Sequence, residues 1–308
     1  MVEGDARPRL RLSYPAVEGR TGAGQMCPMQ LGFAPEHPLK VARTQVRLPP
    51  GSFLHALPFI VDETQRFRID ALVLCAAIIA SAYEQMVELA LRAKWEESQD
   101  AAVRSGHLDI ALFQHAWSIV DQVYAMRRLL RSLEFKGEDI DAFLTATENA
   151  YSLRNRMDHL DQRIPNIAAS KDNTRSLFGS LSYFVHGAAV GLPHVDVFAV
   201  TQHAEPTRPG EQVGACRMPP EMRMPIGNFV LNAAGQEFDL DATILTLGPV
   251  MTRTNEGFEK SIRAQVAEKA AEHGVSERDL LTHFGGGLKV MLALSASKAP
   301  GKTDETSP

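Results

Sequence analysis

Three side chains near the middle of the chain, Arg154, Asn155 and His159, are of types that can act on a phosphate or another anion. Imidazole titrates near neutral pH and can transfer a proton. The planar guanidinium binds phosphate or carboxylate through a fork of donors. A plainer interpretation stays open beside this one, because Arg154 and Asp158 are four residues apart and are also expected to form an ordinary surface ion pair.

The apolar pattern around these residues predicts the element that positions them. Apolar residues recur at helical spacing over residues 62–98, 107–134 and 138–164, which predicts three long helices packed antiparallel. In the third helix the seam formed by Leu153, Met157 and Leu160 should face the core. Asn155 and His159, one turn apart, are then expected to point outward, toward solvent or a partner.

An arginine followed by a polar residue, with a histidine after a gap of four, resembles the R-x4-6-H signature of HEPN domains. That family consists of α-helical bundles, many of them metal-independent ribonucleases of toxin–antitoxin and phage-defence systems. The resemblance covers residues 62–170 and implies a role for each motif residue. His159 would act as general acid or base, Arg154 would hold the scissile phosphate, and Asn155 would orient the reacting groups.

The resemblance also implies partners and chemistry. RNA would be the substrate, with Arg156 and Arg163 contributing to its binding against the negative charge of Asp158 and Asp161. Because the 2′-hydroxyl of the RNA is the nucleophile, neither a metal nor a cofactor is expected. Two copies of the motif would meet in a homodimer, and an antitoxin or another defence component would be the protein partner. The alternative, from a different class, is a non-catalytic helical module for protein interaction.

The predicted fold class is mainly α, an antiparallel helical bundle with a smaller β-rich insertion, and so α+β overall. The chain is expected to consist of five segments. They are an extended, partly disordered arm (1–60), the HEPN-like bundle (61–170), a β-rich insertion or subdomain (171–248), C-terminal helices that pack back on the bundle (249–296) and a disordered tail (297–308).

Several strands are predicted within these segments. The proline-rich arm has one candidate strand, over residues 41–48, and the insertion has two, over 177–185 and 195–201. A hairpin is expected from residues 229–232 and 237–240. In its second strand Phe238 and Leu240 would face inward, and Glu237, Asp239 and Asp241 outward.

Composition excludes several classes of protein. Of the 308 residues 44% are hydrophobic and 22% charged, as in ordinary globular proteins. The net charge of -5 gives no overall attraction to nucleic acid.

Three cysteines, an odd and small number, favour a reducing cytoplasm. The longest apolar run is too short for a membrane span, and the spacing of His186, His194, His203 and Cys216 matches no zinc pattern.

Overall fold

The chain is represented by a computed structural model that describes most of residues 36–278. The described residues are 36–55, 57, 61–99, 106–159, 161–162, 164–165, 179–186, 195–201, 226–233 and 236–278. The architecture is mainly helical with one antiparallel sheet, which confirms the predicted fold class. The predicted disordered tail, 297–308, and Arg163, predicted to contribute to RNA binding, lie outside the described residues.

The two longest helices of the first half form the centre of the fold. Helix α2 spans Glu63–Gln99 and helix α3 spans Gly106–Ser132. They run antiparallel, since Arg68 near the start of α2 donates a hydrogen bond of 3.2 Å to the carbonyl oxygen of Ser132 at the end of α3. Apolar residues at helical spacing form one buried stripe along α2, which comprises Leu72, Ala76, Ile79, Tyr83, Met86 and Ala90.

The third predicted helix is instead two helices, α4 at Glu138–Ala146 and α5 at Glu148–Asp158. The chain breaks at Thr147, which is buried and whose hydroxyl donates to the Phe143 carbonyl oxygen at 2.6 Å. The buried guanidinium of Arg127 donates to the Leu144 carbonyl oxygen and, at 2.7 Å, to the Thr147 hydroxyl. Periodicity alone did not reveal this break, because the side chain that stabilises it comes from α3.

The arm predicted over residues 1–60 is wrong from residue 36 onward. Helix α1, Pro38–Val41, leads directly into a π-helical turn, Ala42–Val46, and a 3₁₀ turn follows at Phe53–His55. No strand forms over 41–48, because the apolar residues there are spaced for a helix. Three of them, Val41, Ala42 and Val46, are buried in the main core together with Leu39 of α1.

Within the described residues the sheet has four strands in the order β2-β1-β3-β4, every neighbouring pair antiparallel. Their ranges are β1 Ser180–His186, β2 Val195–Thr201, β3 Ile226–Ala233 and β4 Gln236–Asp239. The predicted hairpin is confirmed, with Phe238 buried and opposite Leu231. The edge strand β4 lies against α5, where the Asn149 side-chain amide donates to the Glu237 carbonyl oxygen at 2.8 Å.

Helix α6 spans Leu240–His273 and begins directly at the end of β4. The predicted boundary at residue 248 is therefore too late. Asp239 ends the strand and caps the helix, since its carboxylate accepts a hydrogen bond of 2.8 Å from the Ala242 amide. Helix α6 packs against α1, α2, α4 and β3. Sheet and helices consequently share one continuous hydrophobic core.

Candidate functional site

The motif residues are positioned by α5, which packs along α3. Ala150 and Leu153 are buried, and Met157 is half-buried. The opposite side of α5 carries Asn155, which is exposed. This placement agrees with the outward orientation predicted from the seam.

Arg154 lies at the boundary between α3 and α5 and contacts two carboxylates. Its Nε is 2.9 Å from Oδ1 of Asp121 on α3, and its Nη1 donates to Oδ1 of Asp158 one turn along α5. The ion pair with Asp158 was expected, and that with Asp121 adds a second helix. Arg154 therefore already holds two anionic groups of the protein itself.

The electrostatics around Asp121 follow from this crowding. Burial raises the pKa of the Asp121 carboxyl above its ordinary value. The nearby Arg154 guanidinium opposes that shift, whereas the Asp158 carboxylate adds to it. All three side chains keep between about a third and a half of their surface exposed, so water screens the pairs.

The sequence predicted that His159 lies within a helix, and this prediction is wrong. His159 is instead the residue that caps the C-terminal end of α5. Helix α5 ends at Asp158, and His159 has φ -114° and ψ 30°. Its side chain is exposed, and Arg156 is half-buried. Arg154, Asn155 and His159 thus lie in the last two turns of α5 and at the residue that follows it, with Asn155 and His159 exposed and Arg154 half-buried. Of the two arginines predicted to bind RNA, Arg156 lies on the same helix, and Arg163 is outside the described residues.

Aromatic side chains adjoin the arginine. Tyr151, one turn before Arg154, is 55% exposed, and its ring centroid lies 5.6 Å from that of Tyr124 on α3. The Arg128 guanidinium lies 5.9 Å from the centre of the Tyr124 ring. Trp117 lies one turn before Asp121 on the same helix and is half-buried. We call Trp117, Asp121, Tyr124, Arg128, Tyr151, Arg154 and Asp158 together the Arg154 surface.

A second polar cluster, which the sequence did not predict, lies where the sheet meets α2 and α6. Asp241, in the first turn of α6, was expected to face outward from a strand, and that prediction is wrong. Its Oδ1 accepts a hydrogen bond from the Tyr83 hydroxyl at 2.8 Å and one from the Phe229 amide at 3.3 Å. Its Oδ2 accepts one from the Asn228 amide at 2.6 Å. We call these groups the Asp241 cluster.

The amides that Asp241 binds are supplied by a β-bulge in β3. The pairing of β1 with β3 shifts register here, so that Asn228 and Phe229 together oppose Tyr183. Asn228 has a φ of 56°, in the left-handed region that asparagine tolerates better than most residues. Because a bulge leaves backbone groups without a strand partner, the carboxylate of Asp241 completes the hydrogen bonding of this turn.

Burial dominates the electrostatics of the Asp241 cluster. It raises the pKa of Asp241 to about 7, although the Tyr83 hydroxyl and the two backbone amides favour the ionised form. Burial and the adjacent Asp241 raise the pKa of the Tyr83 hydroxyl well above its ordinary value. Asp241 keeps part of its surface accessible to solvent, whereas Tyr83 is fully buried.

A buried histidine attaches the N-terminal segment near the same strand. The Nδ1 atom of His37 accepts a hydrogen bond of 3.1 Å from the Leu39 amide, so Nε2 carries the proton and donates to the Ile226 carbonyl oxygen at 2.7 Å. Burial lowers the pKa of His37, which favours this neutral form. The histidine thus caps α1 and binds the first residue of β3.

Metal binding finds no support in the part of the chain that the structure describes. There, no group of three or more histidine, cysteine, aspartate or glutamate side chains is placed to hold a metal ion. Of the residues whose spacing was considered for zinc, His194, His203 and Cys216 lie outside the described residues.

Comparison of the chain with protein-family models, with curated proteins and with solved structures found no match in any of the three. The resemblance to HEPN domains therefore stays a prediction that depends on Arg154, His159 and the helices around them.

Proposed function

We propose that the chain is a non-catalytic helical module that binds another protein through the Arg154 surface. The observation that carries this proposal is the pairing of Arg154 with both Asp121 and Asp158. The two carboxylates offset the positive charge that would otherwise attract a phosphate. The contact of the Arg154 Nε with Asp121 also joins α5 to α3.

The charge of the Arg154 surface favours a protein partner over RNA. Asp121 and Asp158 balance Arg128 and Arg154, so the surface carries no net positive charge. Binding of a polyanion depends on an excess of cations that displaces its counterions. A balanced set of opposite charges is better suited to the mixed polar side chains of a protein.

The composition of the surface is typical of interface hot spots. Tyrosine, tryptophan and arginine are the residues most enriched where protein interfaces gain their free energy. Here they are ordered before any partner binds, through the contact of the Tyr124 and Tyr151 rings and the ion pairs of Arg154. Ordering in advance reduces the entropy lost on binding.

The experiment compares Tyr151→Ala with Gln265→Ala, an exposed control on α6. Proteins that the wild-type chain binds are captured and identified, and each is then purified and titrated against all three forms. We expect Tyr151→Ala to raise the dissociation constant at least about 10-fold, which is the effect typical of a residue at the centre of an interface. Gln265→Ala should leave it unchanged. Equal affinity for Tyr151→Ala and wild type would refute the proposal.

Metal-independent cleavage of RNA is the second candidate function. The exposure of Asn155 and His159 beside Arg154 favours it, because all three are accessible to a substrate. In this case His159 would transfer the proton, Asn155 would orient the reacting groups, and Arg154 would have to exchange Asp121 and Asp158 for the phosphate. A homodimer, an RNA substrate and a toxin or phage-defence role belong to this candidate.

One assay separates the two candidates. Wild type and His159→Ala are expressed in the same host, and growth and RNA integrity are followed for both. The binding module predicts identical growth and intact RNA in each. Growth arrest and RNA cleavage by wild type, both lost in His159→Ala, would establish the nuclease and overturn the binding proposal.

A further inference from the structure

Helix α2 carries a second, largely apolar stripe, on the side opposite the core. The stripe comprises Phe67, Ala71, Leu74, Ile78 and Ser81, at alternating steps of four and three residues. Phe67 and Leu74 are each 61% exposed, Ser81 is exposed, and Ala71 and Ile78 are half-buried. At 1.5 Å per residue the stripe is about 21 Å long. None of the five residues is charged, and Ser81, the single polar one, is small.

The stripe makes α2 unusually apolar for a helix of a globular protein. The segment Glu63–Lys94 is long and apolar enough to cross a membrane, and half of its most apolar part is buried. The buried residues are those of the core stripe already described and, beside them, Cys75, Ala80, Ala82 and Val87. Contiguous apolar residues on the surface of a protein usually mark a site where another molecule binds.

We propose that this stripe binds the same stripe of a second copy of the chain, with the two α2 helices antiparallel about a two-fold axis. When Leu74 of one copy lies opposite Ile78 of the second, Ala71 lies opposite Ser81 and Phe67 opposite Gln85. The large side chains next to the axis are thus flanked by a pair of small residues, which lets the two helices approach closely. A surface that matches itself under a two-fold rotation gives a closed dimer.

Charges at the ends of the stripe favour the antiparallel arrangement. In that register Arg66 of one copy comes within about two residues of Glu88 of the second, and Glu63 within about three of Arg92, distances that long side chains can bridge. A parallel arrangement would place Arg66 against Arg66 and Glu88 against Glu88. Like charges across an interface are unfavourable.

The dimer surface differs from the one that the HEPN resemblance implies. There the two copies meet at the motif, on α5, whereas the apolar stripe lies on α2. The inference does not depend on the Arg154 surface, and either proposal can fail without the other.

The first experiment introduces a charge into the centre of the stripe. The molecular mass of wild type, Leu74→Glu and Ile110→Glu is measured by sedimentation equilibrium at several concentrations. Ile110, on α3, is 56% exposed and serves as a matched apolar control. We expect wild type and Ile110→Glu to be dimers, and Leu74→Glu to dissociate at least about 30-fold more readily. Circular dichroism should show equal helix content in all three.

The second experiment tests the register by cross-linking. In a chain carrying Cys27→Ser and Cys216→Ser, the pair Ala71→Cys and Ser81→Cys should form a disulfide-linked dimer on oxidation. The two positions are ten residues apart, about 15 Å along one helix, and cannot join within a chain. Ala71→Cys alone should remain uncross-linked.

Three outcomes would overturn the proposal. One is a wild-type chain that stays monomeric in solution. If this monomer binds phosphatidylglycerol vesicles, lipid rather than a second copy is the occupant of the stripe. Another is a Leu74→Glu variant that remains as dimeric as the Ile110→Glu control. The third is efficient cross-linking of Ala71→Cys alone, which requires parallel helices or an antiparallel register centred on residue 71.

Discussion

The Arg154 surface and the Asp241 cluster each join charged and aromatic groups from different elements, but they differ in accessibility. Arg154 and its two carboxylates lie at the surface, where water competes with every ion pair. Asp241 instead accepts three hydrogen bonds at the edge of the core, two of them from a bulged strand. From this comparison we expect the ion pairs of Arg154 to add little to the stability of the fold, whereas Asp241 joins the sheet to helices α2 and α6.

The largest effect that would sharpen this contrast is expected from Asp241→Ala. The substitution leaves the Tyr83 hydroxyl and the Asn228 and Phe229 amides without their acceptor, and each unsatisfied buried donor costs about 1–3 kcal/mol. We expect a loss of about 3 kcal/mol or more in the free energy of unfolding by urea. Asp158→Ala, at the surface, should cost no more than about 1 kcal/mol. Equal losses in the two variants would abolish the distinction between the regions.

The pH dependence of stability is expected to differ between the regions as well. Asp241 has a pKa of about 7 in the folded chain, against about 3.9 when unfolded. Between these values the native state binds more protons, so its contribution is fully present below about pH 4 and is lost as the pH rises through 7. One such group gives a slope of up to about 1.4 kcal/mol per pH unit.

Urea unfolding of wild type and Asp241→Asn, measured between pH 4 and 8, tests this slope. The amide cannot ionise, so the variant should lose the decline that wild type shows, whatever its overall stability. Asp158→Asn is the control at the surface. The assignment fails if wild type and Asp241→Asn change in parallel with pH.

Local periodicity predicted the parts of the fold that depend on neighbours in sequence. The α2 stripe that contains Leu72 and Ile79 is buried, and Phe238 of the hairpin faces inward, as their spacing indicates. The pair of Arg154 and Asp158 is also a contact between neighbouring turns. In each case a residue interacts within one helix or hairpin, so the sequence already contains the geometry.

Contacts between distant parts of the chain were not predicted. Nothing in the order of residues relates Tyr83 to Asp241, which are 158 positions apart, or His37 to Ile226. Some signals were nevertheless present. Leu240, Ile244 and Leu247 have helical spacing directly after Asp239, a good N-cap, and indicate that α6 begins there.

The spacing of Leu39, Ala42 and Val46 likewise indicates a helix where a strand was predicted. The three residues follow one another at steps of three and four, so they share one face of a helix, whereas in a strand Leu39 would lie on the face opposite to Ala42 and Val46. The prolines around this segment suggested an extended arm. Pro38 instead occupies the first position of α1, where its missing N–H costs nothing.

The smallest predicted effect tests whether the Arg154 surface is held together by charge. Arg154→Ala, Asp121→Ala and the double variant form a cycle whose coupling free energy isolates the pair. Because about a third of the Arg154 side chain and half of the Asp121 side chain are exposed to water, we expect a coupling of about 0.5 kcal/mol, reduced further in 1 M salt. The measurement is urea unfolding at low and high salt. A salt-independent coupling above about 2 kcal/mol would mean that this pair is as protected from water as the Asp241 cluster, and the contrast between the two regions would no longer hold.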